Sequence, residues 1–359
     1  MKINIILNEP ITRASGGYKV VYQYANYMSE NGHDVCIYYH CRKNVLLSRY
    51  NFPFFVKLMI AKMRIRRGVS WFHVNNEIQS FIIKEISNEN IRNADAILAT
   101  AVDTASPVNE LDKSKGKKYY FIQGFEDWVF DADKVKETYS YGMKNIVIAQ
   151  WLKSIVDENA ITPSFFIPNG IDSNIFYIKN NIEKRNPASV AILYHPLELK
   201  GSKYAIEVVK KLREVYHDLH VEMFGISERP SELPEWISYT YKAKEKDLLE
   251  IYNKCSIFLC TSLSEGFGLT GAESMFCGCA LVTTDTLGVR EYANENNALI
   301  CRPKDVDGLF NAVSYLIDNN DKRIELARKG HSDVVSFLDF GKACQKFMRV
   351  ITEDCHDNN

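Results

Sequence analysis

Several things are missing from this chain, and each absence narrows what it can be. No stretch approaches the roughly 20 apolar residues that span a bilayer, so an integral membrane protein is not expected. Charge of one sign is also missing. Lys and Arg number 44 against 45 Asp and Glu, and a net charge of −1 gives no electrostatic case for nucleic acid as a bulk partner. The G-x-G-x-x-G fingerprint of a dinucleotide site is absent. So is the ligand spacing of a zinc site: Cys277-Gly278-Cys279 is the one close pair, without a second pair or a His at the right distance along the chain. The nine cysteines, at 36, 41, 255, 260, 277, 279, 301, 344 and 355, are odd in number and sit mostly in apolar contexts. That fits reduced thiols in a cytoplasmic protein better than a secreted disulfide framework. The opening residues, MKINIILNEP, carry one Lys and an apolar run too short for a signal peptide, and read as a first core strand.

What is present is an ordinary globular composition, 46% hydrophobic and 25% charged over 359 residues. That length suits two domains of roughly 150–200 residues each. Ile3–Leu7 reads as a strand, Tyr18–Glu30 as a helix with Val20, Val21, Tyr24, Ala25 and Met28 at helical spacing, and Val35–Tyr39 as a second strand. This is a βαβ unit with Gly16-Gly17 at its first crossover. Further strands are expected at Trp71–Val74, Ala96–Thr100, Tyr119–Gln123, Ile146–Ala149 and Ser164–Ile167, with a helix at Trp151–Asn159. The turn cluster Pro168-Asn169-Gly170-Ile171-Asp172 and the polar stretch after it mark a domain boundary. A second βα series follows, from the strand Ser189–Tyr194 to the helices Val306–Asp318, Asp321–Lys329 closed by Gly330, and Asp339–Thr352. Strands alternating with helices throughout argue for α/β architecture with parallel, doubly wound sheets.

The stretch that carries chemistry is Thr261–Ala280, TSLSEGFGLTGAESMFCGCA. A buried strand, Ser256–Cys260, runs into a loop with glycines at 266, 268 and 271, and then into a helix. Glycines let a backbone approach a ligand closely, and a helix N-terminus favours anions. Glu265 and Glu273 stand eight residues apart on this element. Amides for phosphates and carboxylates for sugar and ribose hydroxyls together suit a sugar nucleotide.

This combination resembles the retaining nucleotide-sugar glycosyltransferases of family 4, which have the GT-B fold. The likeness covers nearly the whole chain and is strongest at Glu265-Gly266-Phe267-Gly268-Leu269 through Glu273, the E-x7-E motif of that family. Ile167-Pro168-Asn169-Gly170-Ile171-Asp172 looks like its interdomain segment, and Lys200-Gly201 like the end of its donor motif. Tyr120-Phe121-Ile122-Gln123-Gly124-Phe125-Glu126 is similar to bacterial rhamnan-type transferases. The resemblance implies two Rossmann-like domains with a cleft between them. An acceptor domain would span residues 1–167 plus a crossing-back helix in 336–359, and a donor domain would span 168–335. It implies that Glu273 accepts from the ribose, that Glu265 sits by the donor sugar, and that the amides of Phe267, Gly268 and Leu269 face sugar and phosphates. Lys200 would neutralise the diphosphate without a metal or other cofactor. Gly16 and Gly17 would close over the diphosphate from the first domain. Two positions depart from the family pattern: His195 stands about where an Arg is usual, and Gln123 where some members have His. A guanidinium fork is not replaced equally by an imidazole.

The activity expected is transfer of a sugar from a nucleoside diphosphate to a hydroxyl of a glycan or lipid-linked glycan in bacterial polysaccharide biosynthesis. Two alternatives stand beside it: a GT-B sugar-nucleotide epimerase, and a catalytically weak binding partner in a polysaccharide assembly complex. On the acceptor side, Asp103, Gln123 and Glu126 are candidates, with Asp103 equally readable as a helix cap. Trp128 and Phe125 read as core residues before they read as sugar platforms. Segment 54–68 is aromatic, then basic, with Lys57, Lys62, Arg64, Arg66 and Arg67 interleaved among apolar residues. It reads either as a solvated helix face or as a peripheral contact with the inner face of a membrane.

Overall fold

The computed structural model describes residues 1–48, 50–66 and 68–356, and for 353–356 the backbone alone. Arg67 and the side chain of Cys355 therefore lie outside the described residues. The chain divides into two compact units, Met1–Pro168 with the chain from Cys344 onward, and Asn169–Ala343.

The first unit runs β1 (Lys2–Leu7), α1 (Gly16–Glu30), β2 (Asp34–His40), α2 (Phe54–Arg66), β3 (Gln79–Ile83), β4 (Ala96–Ala99), α3 (Val102–Glu110), β5 (Lys117–Ile122), α4 (Ala132–Tyr139), β6 (Lys144–Val147), α5 (Gln150–Asn159) and β7 (Phe165–Phe166). Its seven strands form a parallel sheet in the order β3-β2-β1-β4-β5-β6-β7. Ile3, Ile5, Ile6 and Leu7 of β1 are all buried, as a strand covered on both faces requires. The stripe read on α1 is the buried one. Tyr24 of that stripe stacks on Phe347 at 4.2 Å, and Phe347 meets Phe121 of β5 edge-on at 5.4 Å.

The second unit runs β8 (Ser189–Tyr194), α6 (Ser202–Val215), β9 (His220–Gly225), β10 (Ser238–Tyr241), α7 (Glu245–Lys254), β11 (Ile257–Cys260), α8 (Leu269–Phe276), β12 (Ala280–Thr284), β13 (Ala298–Cys301), α9 (Val306–Asp318) and α10 (Asn320–Phe337). Its six strands are parallel in the order β10-β9-β8-β11-β12-β13. The last helix, α11 (Phe340–His356), begins in this unit, and from Cys344 on it belongs to the first.

Two expectations fail locally, and two helices go unread. Trp71–Val74 is not a strand. Trp71 and Phe72 instead pack their rings on Tyr22 at 5.8 and 5.7 Å, and β3 forms later in the chain, where Gln79–Ile83 pairs with β2. Gly330 does not close a helix: α10 runs through it to Phe337. A Cβ at Gly330 would stand 2.7 Å from Met275 Cε, so this glycine is a packing contact with α8. Helices α3 and α4, unread in the sequence, are short and polar, with few apolar positions to set a period.

Candidate functional site

In each sheet the strand order reverses once, at β1/β4 in the first unit and at β8/β11 in the second. Ligands of doubly wound sheets bind at such points, beyond the carboxyl ends of the strands. The loops leaving β8 and β11 carry Lys200 and Glu265, so the topology itself brings these two together. Lys200 Nζ lies 2.8 and 2.7 Å from the two Glu265 oxygens, and Ser262 Oγ donates to Oε1 at 2.6 Å. The loops are also tied to each other by two further hydrogen bonds. Leu263 N–H donates to the Leu199 carbonyl at 2.7 Å, and Thr261 Oγ1 to that of Gly201 at 2.9 Å. Gly201 has φ +62, and a side chain there would run into the Thr261 carbonyl. That glycine is what allows Lys200 to reach Glu265.

The glycines at 268 and 271 have another use than the one the sequence suggests. Gly268 caps α8 in the left-handed region, at φ 85. A Cβ there would meet Tyr292 Oη at 2.9 Å, and one at Gly271 would collide with the same hydroxyl. Tyr292 Oη donates to the Gly268 carbonyl at 2.6 Å. The glycines therefore accommodate Tyr292 beneath the loop, with Phe267 packed beside it at 5.6 Å between ring centroids. The first amides of α8, from Leu269, have no intrahelical acceptor and concentrate positive potential at this end. Glu273, one turn on, is only 3% exposed, and Tyr252 Oη donates to its Oε2 at 3.4 Å. Burial, and Glu273 beside it, push the Tyr252 phenol well above its ordinary range. His195, at the end of β8, is held locally. Its backbone N–H donates to Ser202 Oγ at 2.8 Å, and its Nδ1 accepts from Leu197 N–H at 3.1 Å.

At the other reversal, in the first unit, a cavity of about 290 Å³ opens among Asn8, Ser15, Gly17, Gln123, Glu126 and Trp128. Gly16 and Gly17 form the first residues of α1, and Gln123 Nε2 donates to the Gly17 carbonyl at 3.2 Å. Glu126 Oε2 accepts from the Val102 amide, the first of α3, at 2.9 Å. Burial, with Asp103 adding, pushes its carboxyl up to about 7 against the opposing pull of the Val102 amide. Asp103 is not among the residues lining this cavity. It forms an ion pair with Arg42 and accepts from Asn8 Nδ2 at 3.1 Å. The reading of Trp128 as a core residue is wrong: it is 64% exposed, and the one edge of its indole that lies close to Gly124, where a Cβ would approach the ring to 3.2 Å, does not bury it.

Residues 177–333, within the second unit, match the family model described as Glycosyl transferases group 1. The second unit is a group 1 glycosyl transferase domain. Among curated relatives, the N,N'-diacetylbacillosaminyl-diphospho-undecaprenol alpha-1,3-N-acetylgalactosaminyltransferase of Campylobacter jejuni is 25% identical over 224 residues, 60% of this chain and 58% of that protein. An uncharacterised glycosyltransferase of Methanocaldococcus jannaschii is 24% identical over 223 residues, 60% of either chain. The match thus spans about three-fifths of these relatives' own length. Among solved structures, Anabaena HepE in complex with UDP superposes with a TM-score of 0.75 at 12% identity, over 98% of this chain and 100% of that one. Sucrose-phosphate synthase of Thermosynechococcus elongatus does so with 0.73 at 12% identity, over 98% of each. These likenesses establish the fold, which is GT-B.

Within the group 1 domain, Lys200, Gly201, Glu265 and Glu273 all fall inside the matched residues. Sequence reasoning missed Ser262 and Tyr292. Ser262 is three residues before Glu265 and carries no motif, and Tyr292 is 24 residues beyond Gly268 with nothing local to tie it there. The close pair Cys277 and Cys279 is buried, with the Cys279 thiol donating to the Tyr252 carbonyl at 3.0 Å. Among the described residues no group of three or more His, Cys, Asp or Glu is arranged to hold a metal ion. None of the described helices is long and apolar enough to cross a membrane.

Proposed function

We propose that this chain is a retaining glycosyltransferase that moves a sugar from a nucleoside diphosphate to a hydroxyl of a glycan or lipid-linked glycan. The observation that carries the reading is the Lys200–Glu265 pair at the sheet reversal, beside the open N-terminus of α8. Cleaving a glycosyl–phosphate bond leaves positive charge at the anomeric carbon and negative charge on the departing diphosphate. Lys200 and the amides of Phe267, Gly268 and Leu269 are suited to the diphosphate, and Glu265 to the electron-poor sugar carbon. His195 lies on the same loop as Lys200, and its imidazole is a further polar group for a phosphate. Glu273, with Tyr252, is assigned to the ribose hydroxyls. In a retaining reaction the acceptor oxygen bonds to the anomeric carbon as the phosphate oxygen leaves, and that phosphate oxygen takes the acceptor's proton. This scheme asks for no metal, because Lys200 and the helix terminus supply the positive charge.

The acceptor is assigned to the first unit's cavity. Gln123 and Glu126 offer hydrogen bonds there, and Trp128 offers an exposed ring face to a sugar. Gly16 and Gly17 are assigned to the donor's phosphates. Asp103 is withdrawn from direct contact and acts, through Arg42 and Asn8, on the cavity's shape. A relative supports a lipid-linked acceptor: the Campylobacter jejuni protein is named as transferring to a diphospho-undecaprenol sugar. HepE has been solved with UDP and glucose, which supports a nucleoside diphosphate donor. An acceptor carried on a lipid places the protein peripherally at a membrane surface.

A second reading, a nucleotide-binding partner without turnover, is favoured by His195 standing where an Arg is usual and Gln123 where some members have His. Incubation with UDP-, GDP- and dTDP-sugars, with and without glycan acceptors, separates the two. Transfer from one donor, with the anomeric configuration kept, is expected. Nucleotide binding without turnover of any donor would point to the binding partner, and a free epimerised sugar to an epimerase.

A further inference from the structure

The segment that the donor and acceptor assignments leave unused is α2. Its Leu58 and Ala61 are buried in a small cluster with Cys41 and Leu46, with Phe54 and Ile82 packed against it. That anchors one side of the helix to β3. Phe55, Met59 and Met63, spaced by four residues, are all exposed, Phe55 to 65%. Just before the helix Tyr50 and Phe52 stack at 5.8 Å with an interplanar angle of 7°, and both are exposed as well. Five large apolar side chains thus project from one short segment, a concentration that soluble surfaces avoid. The charge around them has one sign. Helix α2 holds Lys57, Lys62, Arg64 and Arg66 and no acid, and the chain has no Asp or Glu between Asp34 and Glu77. In a protein whose net charge is −1, this is a strong local excess. Lys62 and Arg66 fall seven and eleven residues after Phe55, on the same face as the apolar stripe, while Lys57 and Arg64 lie on the opposite side of the helix.

We propose that α2, with the Tyr50–Phe52 stack, is a docking surface for an anionic lipid bilayer, lying in the interface with Phe55, Met59 and Met63 among the acyl chains. The apolar stripe would sink about 5–10 Å past the headgroups. Lys62 and Arg66 would sit level with the lipid phosphates, where each gains from the negative surface potential. A neutral partner protein would give Lys62 and Arg66 nothing to pair with, and a second copy of α2 would bring like charge against like. This deepens the proposed lipid-linked acceptor reading by naming the surface that holds the chain to its substrate's membrane.

The test is flotation of the full chain with vesicles of mixed phosphatidylcholine and phosphatidylglycerol, and with vesicles of phosphatidylcholine alone. Binding to the anionic vesicles only, weakened by salt, is expected. The variant Lys62→Ala/Arg66→Ala should bind roughly 25-fold more weakly, about fivefold per charge. The variant Phe55→Ser/Met59→Ser/Met63→Ser, whose changes are all at exposed positions, should lose binding with its thermal unfolding unchanged. Equal binding to both vesicle types, binding by the triple-serine variant, or no binding by the parent chain would each overturn the proposal. So would a concentration-dependent dimer that the triple-serine variant abolishes while the parent ignores vesicles. Transfer to a water-soluble acceptor without vesicle binding sinks the docking surface alone. Vesicle binding without transfer to any acceptor counts against the transferase reading and leaves the surface in place.

Discussion

Glu126 offers the sharpest test of the first unit's cavity, because its environment predicts a sign, a size and a pH window. Burial raises its folded-state value to about 7 from the ordinary 4.5, with Asp103 adding to the shift. As pH rises through 4.5 the unfolded chain releases this proton while the folded chain keeps it. Stability therefore falls as pH rises, the loss is complete above about 7, and it vanishes below 4.5. At 1.36 kcal/mol per pKa unit the full effect is about 3 kcal/mol. Glu126→Gln cannot ionise, and its amide oxygen can still accept from Val102 N–H. Relative to the parent, the variant should match it at low pH and gain about 3 kcal/mol above pH 7. For a unit of this size that is roughly 6–12 °C in the melting temperature. Calorimetry of both proteins across the window is the assay. A difference that does not change with pH, or a variant less stable than the parent above neutrality, would refute the argument that burial governs this carboxyl.

Three more expectations concern the group 1 domain. Glu273→Ala should weaken nucleotide binding by at least tenfold, about 1.4 kcal/mol, in titration calorimetry, and unchanged affinity removes Glu273 from the ribose role. Lys200→Met should cut the transfer rate roughly 100- to 1,000-fold while leaving the nucleotide bound; an undiminished rate would mean that the diphosphate charge is met elsewhere. Gly271→Ala should cost about 1–3 kcal/mol through its clash with Tyr292 Oη. Adding Tyr292→Phe, which removes the obstructing hydroxyl, should recover part of that loss in denaturant unfolding, and no recovery would place the strain elsewhere.

Much of the fold was legible along the chain. The strands Ser189–Tyr194 and Ala298–Cys301 and the helix Val306–Asp318 are where their apolar periods placed them, residue for residue. The periods were clean there because buried parallel strands are continuously apolar and helix α9 faces a single core. Reading failed where aromatic residues had several places to go. Trp71 and Phe72 look like strand residues, yet they cover Tyr22, and the strand they suggested forms later at Gln79. Gly330 looks like a helix stop, yet its missing Cβ is a fit against Met275.

The candidate site divides along the same line. Its residue types were set by local sequence: a buried strand, a glycine loop, two carboxylates eight apart, and a Lys-Gly turn. Local sequence carries these because loop conformation and helix start depend on φ and on the next few residues. Which groups meet was decided by topology. Lys200 reaches Glu265 across 65 residues because β8 and β11 are neighbours at the point where the strand order reverses. Tyr292 fills the hollow under Gly268 and Gly271 from a loop beyond β12, so the glycines answer to a buried hydroxyl as well as to any ligand. Trp128 reads as a core residue by type, yet the rest of the chain leaves it 64% exposed. Burial and pairing of this kind depend on what the rest of the chain brings alongside, and no window of sequence around a residue contains that.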